Sequence, residues 1–361
     1  MSARIPHSEF QIPNCDGPST VTISRCRAGE VGDVVRFIDA YWERGHVLAT
    51  CSALLDWQHR DDDGQGYSFV VARRRGTGEV LGILGYIPTR RFDASLAGDN
   101  VIWLTMWKVR ADAGFAGLGL LLVEYLTRAE PHVAIGAIGL NPETIPIYRA
   151  LGFRAGELHH YARASNSLAR IEIATLATRP RAPAPGRLLH ARCVTRDSEW
   201  PQLELVSNHL RLPRKSVEYF RNRYVRHPFY SYTVIAVLEG DACSGLIAAR
   251  IAEHGGRRVL RVVDFAGSDE VLACSGPVIQ QLLDDTGAEY ADIYNSGIDA
   301  EVFARAGFAA IDPDGPDIVP DHFEPFERRN VRLWFSLKGP GDAALFKGDS
   351  DQDRPNILSQ R

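Results

Sequence analysis

Over much of the chain, apolar and polar residues alternate in short runs, separated by stretches with the three-to-four-residue spacing of a helix. Residues 21–27 (VTISRCR) alternate like a strand with one face in a core. Residues 34–45 (VVRFIDAYWERG) have helical spacing with Asp33 placed as a cap, and 52–60 (SALLDWQHR) predict a second short helix opened by a serine. Two β-rich runs follow, 67–75 and 80–88, joined as a hairpin by Gly76-Thr77-Gly78. Residues 100–110 (NVIWLTMWKVR) predict a strand that ends on a glycine-rich turn, which runs straight into a helix. A strand at 133–139, a short helix at 143–151 and a strand after Gly152-Phe153 complete the order β-α-α-β-β-β-α-β-α-β. Such an order predicts an α/β fold, with a mixed central sheet flanked by helices.

Residues 179–187 (RPRAPAPGR) break every periodic pattern, because their three prolines cannot join a helix interior and favour an extended connector. Beyond them the alternation repeats. Helical spacing at 198–210 and 215–224 precedes a hairpin of 232–238 and 243–252 across Glu239-Gly240-Asp241. A strand at 259–266, a helix at 276–286, a strand at 290–293, a helix at 299–306 and a strand at 331–337 follow. The two series end on matching segments, YRALGF at 148–153 and FARAGF at 303–308. The expectation is two tandem domains of one design, 1–178 and 190–343, with a linker at 179–189 and an acidic tail at 344–361. Residues 1–20 read as an extended lead-in.

A chain of 361 residues suits two cores, and 45% hydrophobic with 24% charged residues is the balance of a globular protein. The net charge of -4 and the lack of a long basic run argue against nucleic acid, and the arginines at 73–75 read as a solvated surface. No segment approaches the ~18 apolar residues of a membrane span, and the polar start has no signal-peptide core, so a cytoplasmic, membrane-free protein is expected. Six cysteines lack CxxC or zinc spacing and fit reduced thiols, and eleven histidines form no HExxH or HxH pair, so no metal site is expected. The tail composition predicts disorder. Against that, Asp349, Asp351 and Asp353 alternate beside Lys347 and Arg354, which would let the segment cover a cleft and bind an amino- or hydroxyl-rich acceptor. The DxDxD spacing lacks the glycine and distal glutamate of a calcium loop. In the second half Arg221, Arg223 and Arg226 interleave with Tyr224, Phe229 and Tyr230. That stretch is either an exposed helix end or a site where guanidinium groups fork onto an anion while rings stack on a base or sugar.

The glycine turn, Gly114-Phe-Ala-Gly-Leu-Gly119, is not a dinucleotide fingerprint, because its close glycine pair comes last rather than first. A turn of this kind at a helix start offers free backbone N–H groups and the positive end of the helix, which attract phosphate. It also serves simply to open a buried helix. Together with Asn141-Pro-Glu-Thr-Ile-Pro-Ile-Tyr-Arg-Ala-Leu-Gly-Phe153, the turn resembles the two signature motifs of the GCN5-related N-acetyltransferase (GNAT) family. In that family a (Gln/Arg)-x-x-Gly-x-(Gly/Ala) turn wraps the pyrophosphate of coenzyme A. A later block carries an asparagine and a tyrosine beside the thioester.

The resemblance covers about residues 21–165; the second half resembles the fold in degenerate form, with Cys274-Ser-Gly-Pro277 at the place of the turn. It implies acetyl-CoA or another acyl-CoA as co-substrate. Gly114, Phe115, Ala116, Gly117, Leu118 and Gly119 would hold the pyrophosphate, and the main chain of Trp107, Lys108 and Val109 would pair with the pantetheine arm and, near Val109, stabilise the oxyanion. Asn141 would contact the cofactor, and Tyr148 would protonate the departing thiolate. Gly114 departs from the Gln/Arg position. The strand 101–109 also lacks the carboxylate that serves many members as base. His46 is then the first candidate base, followed by His159 or His160, which on a strand face opposite ways; bulk water is the alternative. On the acceptor side stand His159, Arg221, Arg223, Tyr224, Asp349, Asp351 and Arg354.

The acceptor expected is a small-molecule amine, foremost an amino sugar linked to a nucleotide, because tails like GDSDQDRPN accompany tandem acyltransferases of surface-polysaccharide clusters. Aminoglycoside, small-amine and peptidyl acceptors, and a non-catalytic coenzyme A-binding module, are the alternatives. The oligomeric state stays open.

Overall fold

The structure is a computed structural model that describes residues 10–11, 21–176, 189–194, 200, 203–205 and 211–355. The lead-in apart from 10–11, the proline connector and most of the expected helix at 198–210 lie outside the described residues. The chain begins with β1 (Phe10–Gln11) and β2 (Val21–Arg27). Helix α1 (Val31–Phe37) widens into a π turn at Ile38–Trp42 and is followed by α2 (Val47–Thr50) and α3 (Ser52–His59). Strands β3 (Gly66–Arg74), β4 (Val80–Pro88) and β5 (Val101–Val109) lead to α4 (Leu118–Ala129) and β6 (Ala134–Ile138). Helix α5 (Ile145–Ala150) and β7 (Arg154–Ala164) close the first half.

The second half runs β8 (His190–Cys193), α6 (Val217–Phe220) with a π turn at Arg221–Val225, β9 (Tyr232–Glu239), β10 (Ala242–His254) and β11 (Arg257–Gly267). Then come α7 (Asp269–Cys274), α8 (Gly276–Thr286), β12 (Tyr290–Ser296), α9 (Ala300–Arg305) and β13 (Ala309–Ile311), with β14 (Leu333–Lys338) and β15 (Leu345–Phe346) last.

Asp33 does not cap α1. The helix starts earlier, and Asp33 lies in its first turn, where it pairs with Arg36 and with Arg73 at 2.8 Å. That pairing also withdraws Arg73 from the surface cluster expected at 73–75. Short elements with no period of their own (β8, α7, β13 and β15) left no trace in the pattern.

The strands follow the order β1-β2-β3-β4-β5-β6-β14-β7-β12-β11-β10-β9-β8. Two features of that order position the site. First, the parallel pair β5/β6 is bonded only at Val101–Ala134, Ile102–Ile135 and Trp103–Gly136, after which the strands diverge. The pair β11/β12 repeats this geometry at Leu260–Ala291, Arg261–Asp292 and Val262–Ile293. Second, the closing strands are exchanged between the halves. β14 inserts between β6 and β7, while the later part of β7 pairs with β12, from His159 opposite Asn295 to Ala164 opposite Tyr290.

Helix α4 lies on the first half of the sheet because Leu118, Leu122, Val123 and Leu126 form one apolar stripe, buried against Leu81, Ile102 and Leu104. Each such side chain contributes about 1.5–3 kcal/mol by leaving water, which holds the helix start at the mouth of the β5/β6 divergence. No helix of the described residues is long and apolar enough to cross a membrane.

The tail is not disordered over its described part. β15 pairs with β12 at Asn295–Phe346 and Ser296–Leu345, and a tight turn at Lys347–Asp349 continues between β11 and β12. Lys347, Asp349, Ser350, Asp351 and Asp353 are all buried. Ion pairs replace the missing apolar content. Lys215 bonds Asp264 and, at 2.7 Å, Asp349; Lys347 bonds Asp321 at 2.5 Å; Asp353 is forked by Arg250 at 2.8 and 2.9 Å and receives the Tyr232 hydroxyl at 2.6 Å.

Candidate active site

The turn after β5 is held open by backbone conformation. Gly114 and Gly117 adopt φ of +68° and +78°, a region that side chains disfavour, and a Cβ at either position would meet no atom within 4 Å. Gly117 is the N-cap of α4 and its carbonyl receives Leu120 N–H at 2.9 Å. Among the described residues, the main-chain N–H groups of Phe115, Ala116, Gly117, Leu118 and Gly119 have no protein acceptor. These donors and the positive helix end lie beside the open space at Gly114 and Gly117, a setting that fits a diphosphate.

Gly119 has a packing role besides the expected one. A Cβ there would stand 3.1 Å from the Trp107 indole nitrogen, and that nitrogen donates to Gly119 O at 3.1 Å. The absence of a Cβ at Gly119 makes room for the indole, while its N–H stays among the open donors.

Among the described residues, no strand pairs with β5 beyond Trp103 on the side away from β4. Residues 104–109, including Lys108 and Val109, therefore present a free edge to the divergence, of the kind an extended ligand joins as an added strand. Trp107 links this edge to the motif helix: its ring meets Tyr148 edge-on at 5.6 Å, and Tyr148 meets Phe153 at 5.3 Å. Tyr148 is buried on α5, and burial alone pushes its phenol above the usual value of 10. Its hydroxyl has no hydrogen-bond partner among the described residues, so it is a neutral proton donor with its proton uncommitted. Asn141 is exposed and its Oδ1 caps the following turn by accepting Glu143 N–H at 3.1 Å, which leaves only its amide NH₂ for another partner.

His46 does not have the geometry of a general base. Its Nδ1 accepts Leu48 N–H at 3.2 Å, so the proton sits on Nε2, which is buried without an acceptor among the described residues. Burial, then the charge of Arg354, push its pKa down to about 4 against the opposing pull of Asp351. In this state the imidazole donates. His159 and His160 do face opposite ways, as alternation predicts. His160 is buried, bonded through Nε2 to Asp292 at 3.0 Å and stacked on Tyr294, while His159 is exposed; both line a cavity of about 460 Å³ that Tyr148, His46 and the tail do not line.

The arginine and aromatic cluster is divided: Phe229 and Tyr230 line a cavity, while Arg221, Arg223 and Tyr224 are spent on the protein itself. Arg223 is buried, donates to the carbonyls of Gly348 and Ser350, and stacks over Trp57 and Phe92 at 5.1 and 4.8 Å. The Tyr224 hydroxyl donates to Asp264 at 2.6 Å, and Arg221 lies 3.6 Å from Glu218 on its own helix. The partner that arginines and rings were expected to find in a substrate is the protein's own tail, and Asp349 is spent in the same way on Lys215.

Asp351 and Arg354 are placed differently, with their charges acting on His46. Between them, Gln352 covers Gly139 at the end of β6, where a Cβ would lie only 2.1 Å from its carboxamide. Gly139 has φ of +80°, which by itself favours glycine. Gln352, Asp353 and Arg354 also line a cavity of about 730 Å³ in the second half, with Tyr230, Arg250 and Lys347. Nothing in the sequence singled out Gln352 or Gly139, because their meeting joins two segments far apart in the chain.

The second half lacks an open turn. Cys274 and Gly276 are buried between α7 and α8, Pro277 removes an N–H, and Arg163 donates to Gly276 O at 2.6 Å. The space where β11 and β12 diverge holds residues 345–349 of the tail.

No family model and no curated protein matches the sequence. Among solved structures the chain is similar to a GCN5-related N-acetyltransferase from Anabaena variabilis, at 12% identity and a TM-score of 0.51, over 88% of this chain and 72% of that one. A GCN5-related N-acetyltransferase from Sphaerobacter thermophilus matches at 14% identity, a TM-score of 0.44 and coverage of 91% and 99%. N-myristoyltransferase from Saccharomyces cerevisiae, solved with myristoyl-CoA and inhibitors, matches at 11%, a TM-score of 0.45 and coverage of 97% and 88%. The chain has the fold of the GCN5-related N-acetyltransferases.

Proposed function

We propose that the protein is an N-acyltransferase that moves an acyl group from acetyl-CoA or another acyl-CoA to the amine of a small-molecule acceptor. One observation carries this reading. The unsatisfied N–H groups at 115–119 and the free edge of β5 lead to a buried phenol with an uncommitted proton. Acyl-CoA, when bound, supplies an activated acyl carbonyl and a thiolate leaving group. The turn would hold its diphosphate, residues 107–109 would orient the arm, and the hydroxyl of Tyr148 would deliver its proton to the sulfur.

The division of labour that follows gives the first half the acyl donor and the second half, with the tail, the acceptor. Because His46 donates rather than accepts, the acceptor amine enters neutral or loses its proton to water. We place an amino sugar, carried on a nucleotide for glycan synthesis in the cytoplasm, first among acceptors. The test is release of free thiol from acetyl-CoA with a panel of amines. Acceleration by at least one amine is expected; coenzyme A binding without acceleration by any amine would leave a ligand-binding module instead.

A further inference from the structure

The tail acts as a strap whose side chains fall into two sets. Lys347, Asp349 and Asp353 are anchored, each in a buried ion pair with the second half. Gln352 and Arg354 are not. Among the described residues, Gln352 hydrogen-bonds only its neighbour Asp351, at 3.2 Å, and Arg354 pairs only with Asp351, through Nε at 3.4 Å. The two terminal nitrogens of Arg354 have no partner among the described residues, although the side chain is only 18% exposed. They form the forked edge that takes a carboxylate or phosphate through two parallel hydrogen bonds.

The surroundings favour an anion there. The other cations of the cavity are spoken for: Arg250 by Asp353, Lys347 by Asp321, and Arg261 by Asp292 and Asp321. Of its acidic groups, Asp353 and Asp321 lie in those same pairs, and Glu253 is held by Arg258 at 2.7 Å. Glu324, which receives the Tyr230 hydroxyl at 3.4 Å, is the exception. Arg354, paired with Asp351 through Nε alone, thus brings two unpartnered N–H groups to the edge of this cavity, and its charge acts on His46.

We propose that Arg354 is the anion-recognising residue of the acceptor pocket, and that the acceptor carries a phosphate or carboxylate group near the amine it presents. Gln352, which lines the same cavity, also touches Gly139 at the end of β6. The inference rests on the acyltransferase reading, and the experiment separates the two. Binding of glucosamine, glucosamine 1-phosphate and muramic acid is measured by calorimetry on wild type, Arg354→Ala and Arg354→Lys, together with acetyl-CoA binding and thiol release with each sugar.

Wild type should bind and use one or both anionic sugars roughly 10–100-fold better than glucosamine, the span expected for a charge-assisted fork. Arg354→Ala should erase that preference, Arg354→Lys should restore part of it, and acetyl-CoA affinity should not move. The phosphate and carboxylate arms identify which anion is read. No preference in wild type, or the same preference in Arg354→Ala, overturns the proposal. A failure of acetyl-CoA to bind overturns the acyltransferase reading instead, and the calorimetric preference still reports on Arg354.

Discussion

Tyr148→Phe separates chemistry from folding more sharply than any other single change in this site. The ring sits edge-on between Trp107 and Phe153, at 5.6 and 5.3 Å, and phenylalanine keeps both contacts. The hydroxyl has no hydrogen bond to lose among the described residues, so stability should stay within about 0.5 kcal/mol of wild type. The Tyr232 hydroxyl is the contrast. It donates to buried Asp353 at 2.6 Å, and its removal should cost about 1–3 kcal/mol by leaving a charged acceptor short of a donor.

A general acid contributes roughly 10²–10⁴-fold, so kcat of Tyr148→Phe should fall by about 2.7–5.4 kcal/mol of transition-state stabilisation while acetyl-CoA affinity is unchanged. Since burial raises the phenol above 10, its proton is retained through that pH, and the wild-type rate should show no alkaline loss from this group below it. Thiol release followed from pH 6 to 10, with calorimetry for acetyl-CoA and urea unfolding for stability, gives all three quantities. A kcat within threefold of wild type, or a loss in affinity that accounts for the whole effect, refutes the assignment.

Gly117→Ala puts a Cβ on a cap with φ of +78°, at about 1–2 kcal/mol of strain; if the turn re-forms to relieve it, calorimetry should show acetyl-CoA affinity lower by roughly 5–30-fold. Asp353→Asn leaves the Arg250 guanidinium buried without its carboxylate and should cost about 3–5 kcal/mol in urea unfolding, with a loss under 1 kcal/mol contradicting the pairing. Burial opposes ionisation of Asp353 and of Asp321, but Arg250 and Lys347 respectively hold them below the usual carboxylate range; that stability is present above about pH 4 and lost as the pH falls further. Asp349 behaves in the opposite sense: burial, with Asp264 adding to it against Lys215, pushes its carboxyl up to about 7 from 3.8, so its contribution is lost as pH rises between those values. Asp349→Asn should flatten melting temperature over that window, and an unchanged slope would remove Asp349 as the cause.

Much of the fold was legible because it is written locally. The alternation of VTISRCR, the hairpin glycines at 76 and 78, and the apolar stripe of α4 each report their own element. The glycine turn was legible for the same reason, since positive φ at Gly114 and Gly117 needs glycine wherever it occurs. The role of Gly119 was not, because the indole that requires it comes from β5. The exchange of β14 left no signal either: a half-buried strand has one pattern whichever neighbours it finds. The tail misled most. Its lack of apolar residues is the signature of disorder, and what orders it are charges on Lys215, Arg223 and Arg250, visible only once the chain has folded. The role of Arg223 was hidden by the same gap, since a substrate and a strap offer arginine the same carbonyls.

The place of β14 between β6 and β7 also fixes when this protein can become whole. On the ribosome, β6 and β7 emerge long before the strand that must separate them, and until it arrives each offers an unsatisfied ladder to any other extended chain. Pairings across so much intervening sequence close slowly, so the nascent first half waits as an incomplete sheet while the second is made. The strap follows the late strand directly. Arg354 and Gln352 therefore take their places only after the first half's sheet has been sealed, and a chain cut short before residue 333 would lack both the seal and the strap.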